Sequence, residues 1–426
     1  MKCVLAFYGT RGDVEPGVAL GRELLRRGHD VTIAITPDLV GFAQSVGLAA
    51  VPYGPDTDTW LESTRDFWSR FFRSWWRIGE VKKLLRESRE PGMRRWAEMS
   101  DVLAGLVDGA DVLVTGVSYQ ELAVNVAEFA AIPVATLLWF PIRVNGVLVS
   151  QLLPGVPAAA SRLAMRAYEW LISRGVREVE AVQRRGLDLA PTKETAPQRL
   201  ANSDALEIQA YDDVCFPGLR QEWSSWASRR PFVGTLTLEL AAAADAEVAE
   251  WIAAGTPPIF FGFGSIPVES PAETIAMIGA ACAQVGERAL VGAGWTDFSD
   301  VPDLDHVKVV GAVNYATVFP ACRALVHHGG AGTTAAGLRA GVPTLILWMA
   351  DVQLIWGAAV RRLGVGATRR FTRTTQKSLV ADLKTILAPQ YLDRARELAT
   401  QMNDPSVSAA AAADQLEDFA LTRSRR

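Results

Sequence analysis

Two glycine-rich turns in this chain carry the residue types that chemistry most often uses. The first, residues 9–13, reads GTRGD and directly follows the apolar run 3–7. Its glycines allow a tight turn and a close backbone approach, and the helix that follows offers free N–H groups. Asp13 is then either a general base at the floor of a cleft or a carboxylate that caps the helix, because Asp is a preferred N-cap residue.

The second turn, residues 327–334, reads HHGGAGTT and also follows an apolar run, at 324–326. Its glycines, threonines and helix N-terminus supply converging amide donors and a dipole that favours negative charge. His328 at the strand end can donate a further hydrogen bond to a phosphoryl oxygen. The turn predicts a phosphate or diphosphate site, and the alternative is a structural histidine pair beside a packing turn. Gly264 and Ser265 repeat the pattern at another strand end.

Alternating apolar runs and helical periods place both turns at the ends of buried strands. The pattern predicts strands at 3–7, 31–34, 112–114, 134–137, 259–262, 289–291, 307–310, 324–326 and 344–347, and helices at about 15–27, 119–130, 272–285 and 409–423. Such alternation is typical of parallel α/β architecture. A break near 215–232 separates two series, which predicts two doubly wound domains facing each other across a cleft. Ligands in such sheets bind outside the carboxyl ends of the strands.

Composition excludes several classes of protein. The 426 residues are 49% hydrophobic and 21% charged, which argues against disorder, and the net charge of −4 shows no basic excess of the kind that nucleic-acid binders carry. Four scattered cysteines argue against a zinc site or a disulfide framework and favour a reducing cytosol. We expect no signal peptide and no membrane span, because prolines and polar residues interrupt the most apolar region, 131–153.

One aromatic segment stands outside this pattern. Helical spacing places one aromatic face on Trp68, Phe71, Phe72, Trp75 and Trp76. Residues 65–89 hold eight basic and three acidic side chains. A basic helix with an aromatic face suits an anionic membrane surface. The alternative is an aromatic face packed into the domain core beneath a solvated basic face.

The segments GTRGDVEP at 9–16 and HHGGAGTT at 327–334 together resemble the paired signatures of the GT-B glycosyltransferases. The branch is the one that holds sterol, macrolide and vancomycin-type glycopeptide glycosyltransferases, and the resemblance covers nearly the whole chain. Within it, residues 67–145 are most similar to actinobacterial enzymes that glycosylate glycopeptidolipids. The resemblance implies a GT-B fold with two Rossmann-like domains.

The resemblance also implies a division of labour between the domains. An acceptor-binding domain is expected at 1–220, a linker at 221–234 and a nucleotide-sugar-binding domain at 235–405, with a C-terminal helix at 406–426 that returns to the first domain. The implied reaction is an inverting transfer of a hexose or 6-deoxyhexose to a hydroxyl of a hydrophobic acceptor. It requires no metal and no cofactor, because the nucleotide-diphosphate sugar is a co-substrate.

Individual roles follow from the same resemblance. Asp13 matches the base that deprotonates the acceptor hydroxyl, His328 the contact to the α-phosphate, and Val313 the residue whose backbone pairs with uracil or thymine. The donor-binding set is Thr10, Gly12, Ser265, Val313, His328, Gly330, Gly332, Thr333, Asp351 and Gln353. The acceptor-binding set is Trp68, Trp75, Trp76 and Trp139.

The sugar-binding loop departs from the family pattern. The family carries an Asp-Gln pair after the strand at 344–347; here Gln353 matches the glutamine, Val352 stands in the place of the aspartate, and Asp351 is displaced by one residue. A valine leaves a donor hydroxyl unpaired, which costs about 1–3 kcal/mol. This predicts a TDP-linked 6-deoxyhexose rather than UDP-glucose, unless the loop rearranges so that Asp351 takes the usual role.

Two other functions compete with a transferase. A nucleotide-sugar epimerase of the same fold would bind the same diphosphate but need no acceptor cavity, and the aromatic segment argues for a large acceptor. A non-catalytic partner protein would keep the fold, but retention of both Asp13 and His328 argues against it. We therefore expect a cytoplasmic glycosyltransferase, either free or in peripheral contact with an anionic membrane at the inner face of the plasma membrane.

Overall fold

Two separate parallel sheets organise the chain, one in each half. The computed structural model describes residues 1–57, 78–264, 270–294, 296, 301, 304–349 and 351–424, without the side chains of 78–91, 351 and 424. The strands of the first sheet are β1 (Lys2–Phe7), β2 (Asp30–Ile35), β3 (Ala49–Pro52), β4 (Val112–Thr115), β5 (Val134–Leu138) and β6 (Leu206–Gln209). Those of the second are β7 (Ile259–Gly262), β8 (Ala289–Gly292), β9 (Val307–Val310), β10 (Ala324–His327), β11 (Thr344–Trp348) and β12 (Gly366–Arg370).

Both sheets have the same strand order. The first runs β3-β2-β1-β4-β5-β6 and the second β9-β8-β7-β10-β11-β12, with parallel pairing between all neighbours. Each is therefore a doubly wound, Rossmann-like sheet whose order reverses at its centre. The predicted α/β fold with two Rossmann-like domains is confirmed.

Helices cover both faces of each sheet, which is why the strands are near-continuous apolar runs. In the first half they are α1 (Arg11–Arg26), α2 (Val40–Gln44), α3 (Ile78–Leu106), α4 (Gln120–Phe129), α5 (Leu148–Leu152), α6 (Ala158–Gly186), α7 (Ala196–Asn202) and α8 (Leu219–Glu222). In the second half they are α9 (Asp245–Ala253), α10 (Pro271–Val285), α11 (Tyr315–Val318), α12 (Ala331–Arg339), α13 (Asp351–Leu363), α14 (Gln376–Ile386), α15 (Pro389–Ala399) and α16 (Pro405–Ser424). Within the described ranges, no helix is long and apolar enough to cross a membrane.

Helix α1 begins four residues earlier than the sequence pattern predicts. The apolar pattern predicts a start at about residue 15, whereas the helix starts at Arg11 with Thr10 as its N-cap. The reason is a capping box, in which Asp13 accepts the backbone N–H of Thr10. The cap satisfies the first turn, and Pro16 is accommodated inside the helix.

An apolar core continues from one half of the chain into the other. One cluster of buried side chains includes Phe7 and Val18 from the first half and Ile346 and Trp356 from the second. Helix α16 contributes to it as well, because it packs against α1. The two halves are therefore joined by shared apolar burial.

Candidate active site

Each predicted turn leaves one of the two central strands between which the strand order of its sheet reverses. The first leaves β1, which pairs with β4 at the point where strand order reverses, and the second leaves β10, which pairs with β7 at the equivalent point. A crevice opens outside the carboxyl ends of strands at such switch points. Residues 237–238 connect the surroundings of the two turns, since Glu15 in α1 accepts the N–H of Leu238 at 2.9 Å and a Cβ at Gly332 would lie 3.4 Å from Thr237. The two switch points therefore lie near each other.

Asp13 lies in the first turn of α1 with one carboxylate oxygen engaged. Its Oδ2 accepts the backbone N–H of Thr10 at 2.8 Å and the Thr10 hydroxyl at 3.0 Å. Gly9 passes close to this carboxylate with φ at 136°, and a Cβ there would lie 2.4 Å from Oδ2. Only glycine fits that turn.

The environment of Asp13 makes it a better base than an ordinary aspartate. Burial raises the pKa of Asp13 to about 6, although the two hydrogen bonds from Thr10 oppose the change. The group is still ionised at pH 7, and a base works best when its pKa lies near the working pH. Among the described residues, none donates a hydrogen bond to Oδ1. Asp13 can therefore cap the helix through Oδ2 and accept a proton through Oδ1.

An aromatic cluster lies beside the first turn. Tyr8 meets Tyr119 edge to face with ring centroids 5.2 Å apart, and Trp96 lies 5.4 Å from the same Tyr119 ring. Tyr119 has φ at 55°, a left-handed backbone that is uncommon for a residue with a side chain. Sequence reasoning missed Tyr119, although its place after β4, at the strand-order reversal, was a usable signal.

Trp139 follows β5 and contacts the core rather than solvent. It is 5% exposed. A Cβ added at Gly116 would lie 3.0 Å from both the Trp139 ring and the Phe7 ring, so these two rings pack against the end of β4. Trp139 thus forms part of the apolar floor beneath the first turn.

The second turn holds two neutral histidines. His327 is buried, and its Nδ1 accepts the N–H of Gly329 at 3.0 Å. Burial lowers the pKa of His327 to about 3 and that of His328 to about 4. His328 Nδ1 makes no hydrogen bond of good geometry with the described residues, although the nearby Gly262 backbone partly opposes the fall in the pKa of the ring. Buried polar atoms are generally paired, so this atom is a candidate for a ligand contact.

Two glycines shape the space around the His328 ring. A Cβ at Gly264 would lie 2.5 Å from His328 Cε1, and a Cβ at Gly330 would lie 2.7 Å from His328 Nε2. Gly264 has φ at 63°, whereas Gly330 has φ at −63° and adopts a backbone open to any residue. A side chain at position 330 is therefore excluded by the His328 imidazole, whereas the backbone conformation there would allow one.

Gly330→Ala is accordingly expected to displace the His328 ring and to weaken nucleoside-diphosphate binding about tenfold, with the fold retained. Gly332→Ala should have a smaller effect, because its Cβ would meet Thr237 at 3.4 Å, close to an ordinary contact. Gly105→Ala in α3, which faces open space, controls for the added methyl group. Isothermal titration with TDP and UDP measures the affinity of all three variants. Equal affinity in Gly330→Ala and wild type would contradict a role for the His328 ring in nucleotide binding.

Comparison with known proteins identifies the family. Residues 3–91 match the glycosyltransferase family 28 N-terminal domain, and residues 283–417 match the erythromycin biosynthesis protein CIII-like C-terminal domain. An uncharacterised glycosyltransferase of Mycobacterium leprae is 54% identical over 100% of this chain and 99% of its own length. The chain belongs to the glycosyltransferases. An uncharacterised glycosyltransferase of Mycobacterium tuberculosis is 52% identical over 99% of both chains.

More distant relatives and solved structures agree with this glycosyltransferase assignment. A sterol 3-beta-glucosyltransferase of Arabidopsis thaliana is 29% identical over 86% of this chain and 57% of its own. The glycosyltransferase of kitacinnamycin superposes with a TM-score of 0.65 at 19% identity, covering 98% of both chains. The glycosyltransferase VinC, in complex with dTDP, superposes with a TM-score of 0.60 at 16% identity, covering 98% of this chain and 99% of its own. These structures identify the fold as GT-B.

Other predicted donor residues of the glycosyltransferase lie around the second turn. The Thr333 side chain hydrogen-bonds Tyr315, which stacks on Phe319 with centroids 4.3 Å apart. Val313 is half-buried and packs against the same apolar cluster as Tyr315. The tyrosine is a residue that sequence reasoning missed; its place two residues after Val313 was the available signal.

The loop predicted to bind the sugar leads into a helix. Asp351 is the first residue of α13, and Gln353 Oε1 accepts the N–H of Met349 at 2.7 Å. Val352 packs against the apolar core. Because a helix turns about 100° per residue, positions 351 and 352 point in different directions. A Cβ at Gly329 would lie 3.3 Å from Gln353 Cβ, so this loop adjoins the second turn.

Several predicted residues lie outside the described part of the glycosyltransferase: Ser265, Trp68, Trp75 and Trp76. Thr10 and Gly12 both lie in the first turn with Asp13: Thr10 is the N-cap of α1, and Gly12 is the second residue of that helix. Within the described ranges, no three His, Cys, Asp or Glu side chains are grouped so as to hold a metal ion.

Proposed function

We propose that this glycosyltransferase moves a hexose or 6-deoxyhexose, with inversion and without a metal, from a nucleotide-diphosphate sugar to a hydroxyl of a hydrophobic acceptor. The observation that carries the proposal is the pair of turns at the two switch points. One presents a carboxylate of raised pKa and the other an anion-binding helix N-terminus. The first 220 residues would bind the acceptor, and residues 235–405 the donor.

The proposed reaction uses the two turns on opposite sides of the sugar. Asp13 Oδ1 takes the proton of the acceptor hydroxyl as its oxygen bonds to the anomeric carbon. The bond from that carbon to the diphosphate oxygen breaks, and its electron pair leaves with the nucleoside diphosphate. The N–H groups at the start of α12 and the neutral His328 ring stabilise the developing negative charge without reorganising.

A nucleoside diphosphate is the part of the sugar donor that fits these groups. The second turn offers backbone donors, a helix dipole and an unpaired imidazole nitrogen, which suit a diphosphate. Support also comes from VinC, which has the same fold and is known in complex with dTDP. Val313 would pair its backbone with uracil or thymine.

A hydrophobic acceptor fits the first half of the chain. Tyr8, Trp96 and Tyr119 form an aromatic cluster that begins at the residue before the first turn, with Tyr119 partly exposed, and Trp139 belongs to the apolar core at the end of β5. Aromatic rings supply large apolar contact areas. The similarity to a sterol 3-beta-glucosyltransferase also supports an apolar acceptor.

The direct test incubates the purified enzyme with TDP-6-deoxyhexoses or UDP-glucose and a lipid extract, followed by nucleotide assay and mass spectrometry. A transferase releases nucleoside diphosphate only with acceptor present and yields a product heavier by one sugar. Isomerisation of the sugar without an acceptor would indicate an epimerase. Neither nucleotide release nor a modified donor would indicate a non-catalytic protein.

Val352→Asp is expected to raise use of UDP-glucose relative to the TDP-6-deoxyhexose. A carboxylate at this position would pair the donor hydroxyl that valine leaves unpaired, a difference worth about 1–3 kcal/mol, or about 5- to 150-fold in relative kcat/KM. Because Val352 packs against apolar residues, thermal unfolding is followed in parallel, with Val352→Thr as the isosteric control. Preference of the wild type for UDP-glucose over every TDP-deoxyhexose would contradict this account of the loop.

A further inference from the structure

The first turns of helix α6 and the segment before it present an exposed apolar face. The inner side of the helix is buried through Ser161, Met165 and Ser173. Six large apolar side chains are more than half exposed, and we call them the α6 patch: Leu153, Leu163, Tyr168, Trp170, Leu171 and Ile172. The other described side chains of this kind, Phe129, Val407 and Leu421, are scattered over other helices. On the helix, Leu163, Trp170 and Leu171 fall within an arc of about 100°, with Tyr168 and Ile172 on the adjoining side. An exposed apolar surface of this kind marks an interaction site.

Basic side chains surround the α6 patch. Arg166, Arg174, Arg177 and Arg185 are exposed on the same helix, and Glu178 is its exposed acid. The described ion pairs of α6 use Arg162, Arg184 and Glu180, and Arg177 also attracts Glu180; the exposed arginines outnumber the exposed acid. The guanidinium of Arg174 lies 5.4 Å from the centre of the Trp170 ring. The surface therefore joins apolar and aromatic side chains to a net positive charge.

This combination distinguishes among partners. A second copy of the chain, related by a two-fold axis, would bring the same arginines together and repel. An anionic bilayer attracts each arginine and accepts Trp and Leu at the boundary between headgroups and acyl chains. We propose that the α6 patch binds the surface of an anionic lipid bilayer.

The position of the patch connects it with the cleft. Helix α5 follows the loop that leaves the carboxyl end of β5, and it contacts α13, which begins at the sugar-binding loop. The N–H of Val149 in α5 donates to Ser161 Oγ at 3.3 Å, which ties α5 to the start of α6. A bilayer on the α6 patch would thus lie beside the cleft. Delivery of a lipid acceptor from this side rests on the proposed function, whereas binding to the bilayer does not.

The test measures co-sedimentation of the full chain with vesicles, without donor or acceptor. Wild type is expected to bind vesicles of phosphatidylcholine and phosphatidylglycerol, and to bind phosphatidylcholine alone at least tenfold more weakly. The triple variant Leu163→Ser/Trp170→Ser/Leu171→Ser should lower the partition coefficient at least tenfold. Arg174→Gln/Arg177→Gln should lower it about fivefold per arginine at low salt, with less effect at high salt.

Matched variants make the result specific to this surface. Val407→Ser/Leu421→Ser removes two equally exposed apolar side chains from α16 and should leave vesicle binding unchanged. Trp75→Ser/Trp76→Ser tests the basic aromatic segment 65–89: loss of binding there, with the α6 triple variant still bound, would overturn the proposal. Failure of the wild type to bind anionic vesicles, or concentration-dependent dimerisation abolished by the triple variant in place of vesicle binding, would also overturn it. TDP affinity is measured on each variant as well. Loss of vesicle binding with unchanged TDP affinity concerns this surface alone, whereas absence of TDP binding in the wild type would count against the proposed function.

Discussion

Asp13→Asn is expected to lower turnover at least about 100-fold while the affinity for TDP or UDP stays unchanged, because a lost general base removes about 10²–10⁴-fold in rate. The wild-type kcat/KM should rise with pH through about 6 and level off above it, since burial raises the pKa of Asp13 to about 6 and the base acts only when ionised. The variant should lose this inflection. Steady-state kinetics between pH 5 and 8 measure both effects.

The unfolding temperature of Asp13→Asn distinguishes a general base at this position from a residue that only caps α1. Because the pKa of Asp13 is raised in the folded chain, ionisation opposes folding as the pH rises through about 6, and the neutral Asn should unfold at the same or a higher temperature at pH 7. Asp404 is the matched control: its carboxylate accepts the Ser406 N–H and hydroxyl at the start of α16, and these bonds lower its pKa. Asp404→Asn should lower the unfolding temperature and leave turnover unchanged. Wild-type turnover in Asp13→Asn, with a lower unfolding temperature, would make Asp13 a cap only.

His328→Ala is expected to weaken nucleoside-diphosphate binding about 10- to 100-fold. A hydrogen bond to a charged group contributes about 1.5–3 kcal/mol, and the ring is a neutral donor at pH 7 because burial lowers its pKa to about 4. Isothermal titration with TDP gives the dissociation constant directly. His306→Ala, which removes a half-buried histidine bonded to the Gly279 carbonyl at 2.9 Å, is the control. An unchanged dissociation constant in His328→Ala would remove the ring from the donor site.

The positions of the two turns were predictable from sequence, because each is a glycine-rich stretch directly after a strongly apolar run. The start of α1 was not, since the choice between a helix starting at Glu15 and one starting at Arg11 depends on the reciprocal bonds between Thr10 and Asp13. Three of the four edge strands, β3, β6 and β12, were also missed, whereas the edge strand β9 was predicted. Strand β12 reads GATRR, which has little apolar signal, and forms by pairing with β11. Tertiary pairing overrides local propensity in such strands.

The chemistry within each turn depended on side-chain orientation and on neighbours that are distant in sequence. The spacing of His328 and Gly330 does not indicate that the imidazole lies against the Cβ position of Gly330, or that the distant Gly264 closes the other side of the same ring. The pKa of Asp13 likewise follows from burial that only the assembled domains create. Residue types predicted the class of chemistry, whereas the contacts that tune it required the structure.

The return of α16 to α1 has a consequence for synthesis of the protein. Leu416 and Ala420 of α16 lie in the same apolar cluster as Leu20 and Leu24 of α1, and Arg27 bonds Asp414 and Glu417. The outer face of α1 therefore stays uncovered on the ribosome until α16, which follows by almost the whole sequence, has emerged. The N-terminal half is translated first, but its apolar surface is covered only when the last helix has been made. An N-terminal fragment produced alone should therefore need α16 supplied as a separate peptide to become soluble.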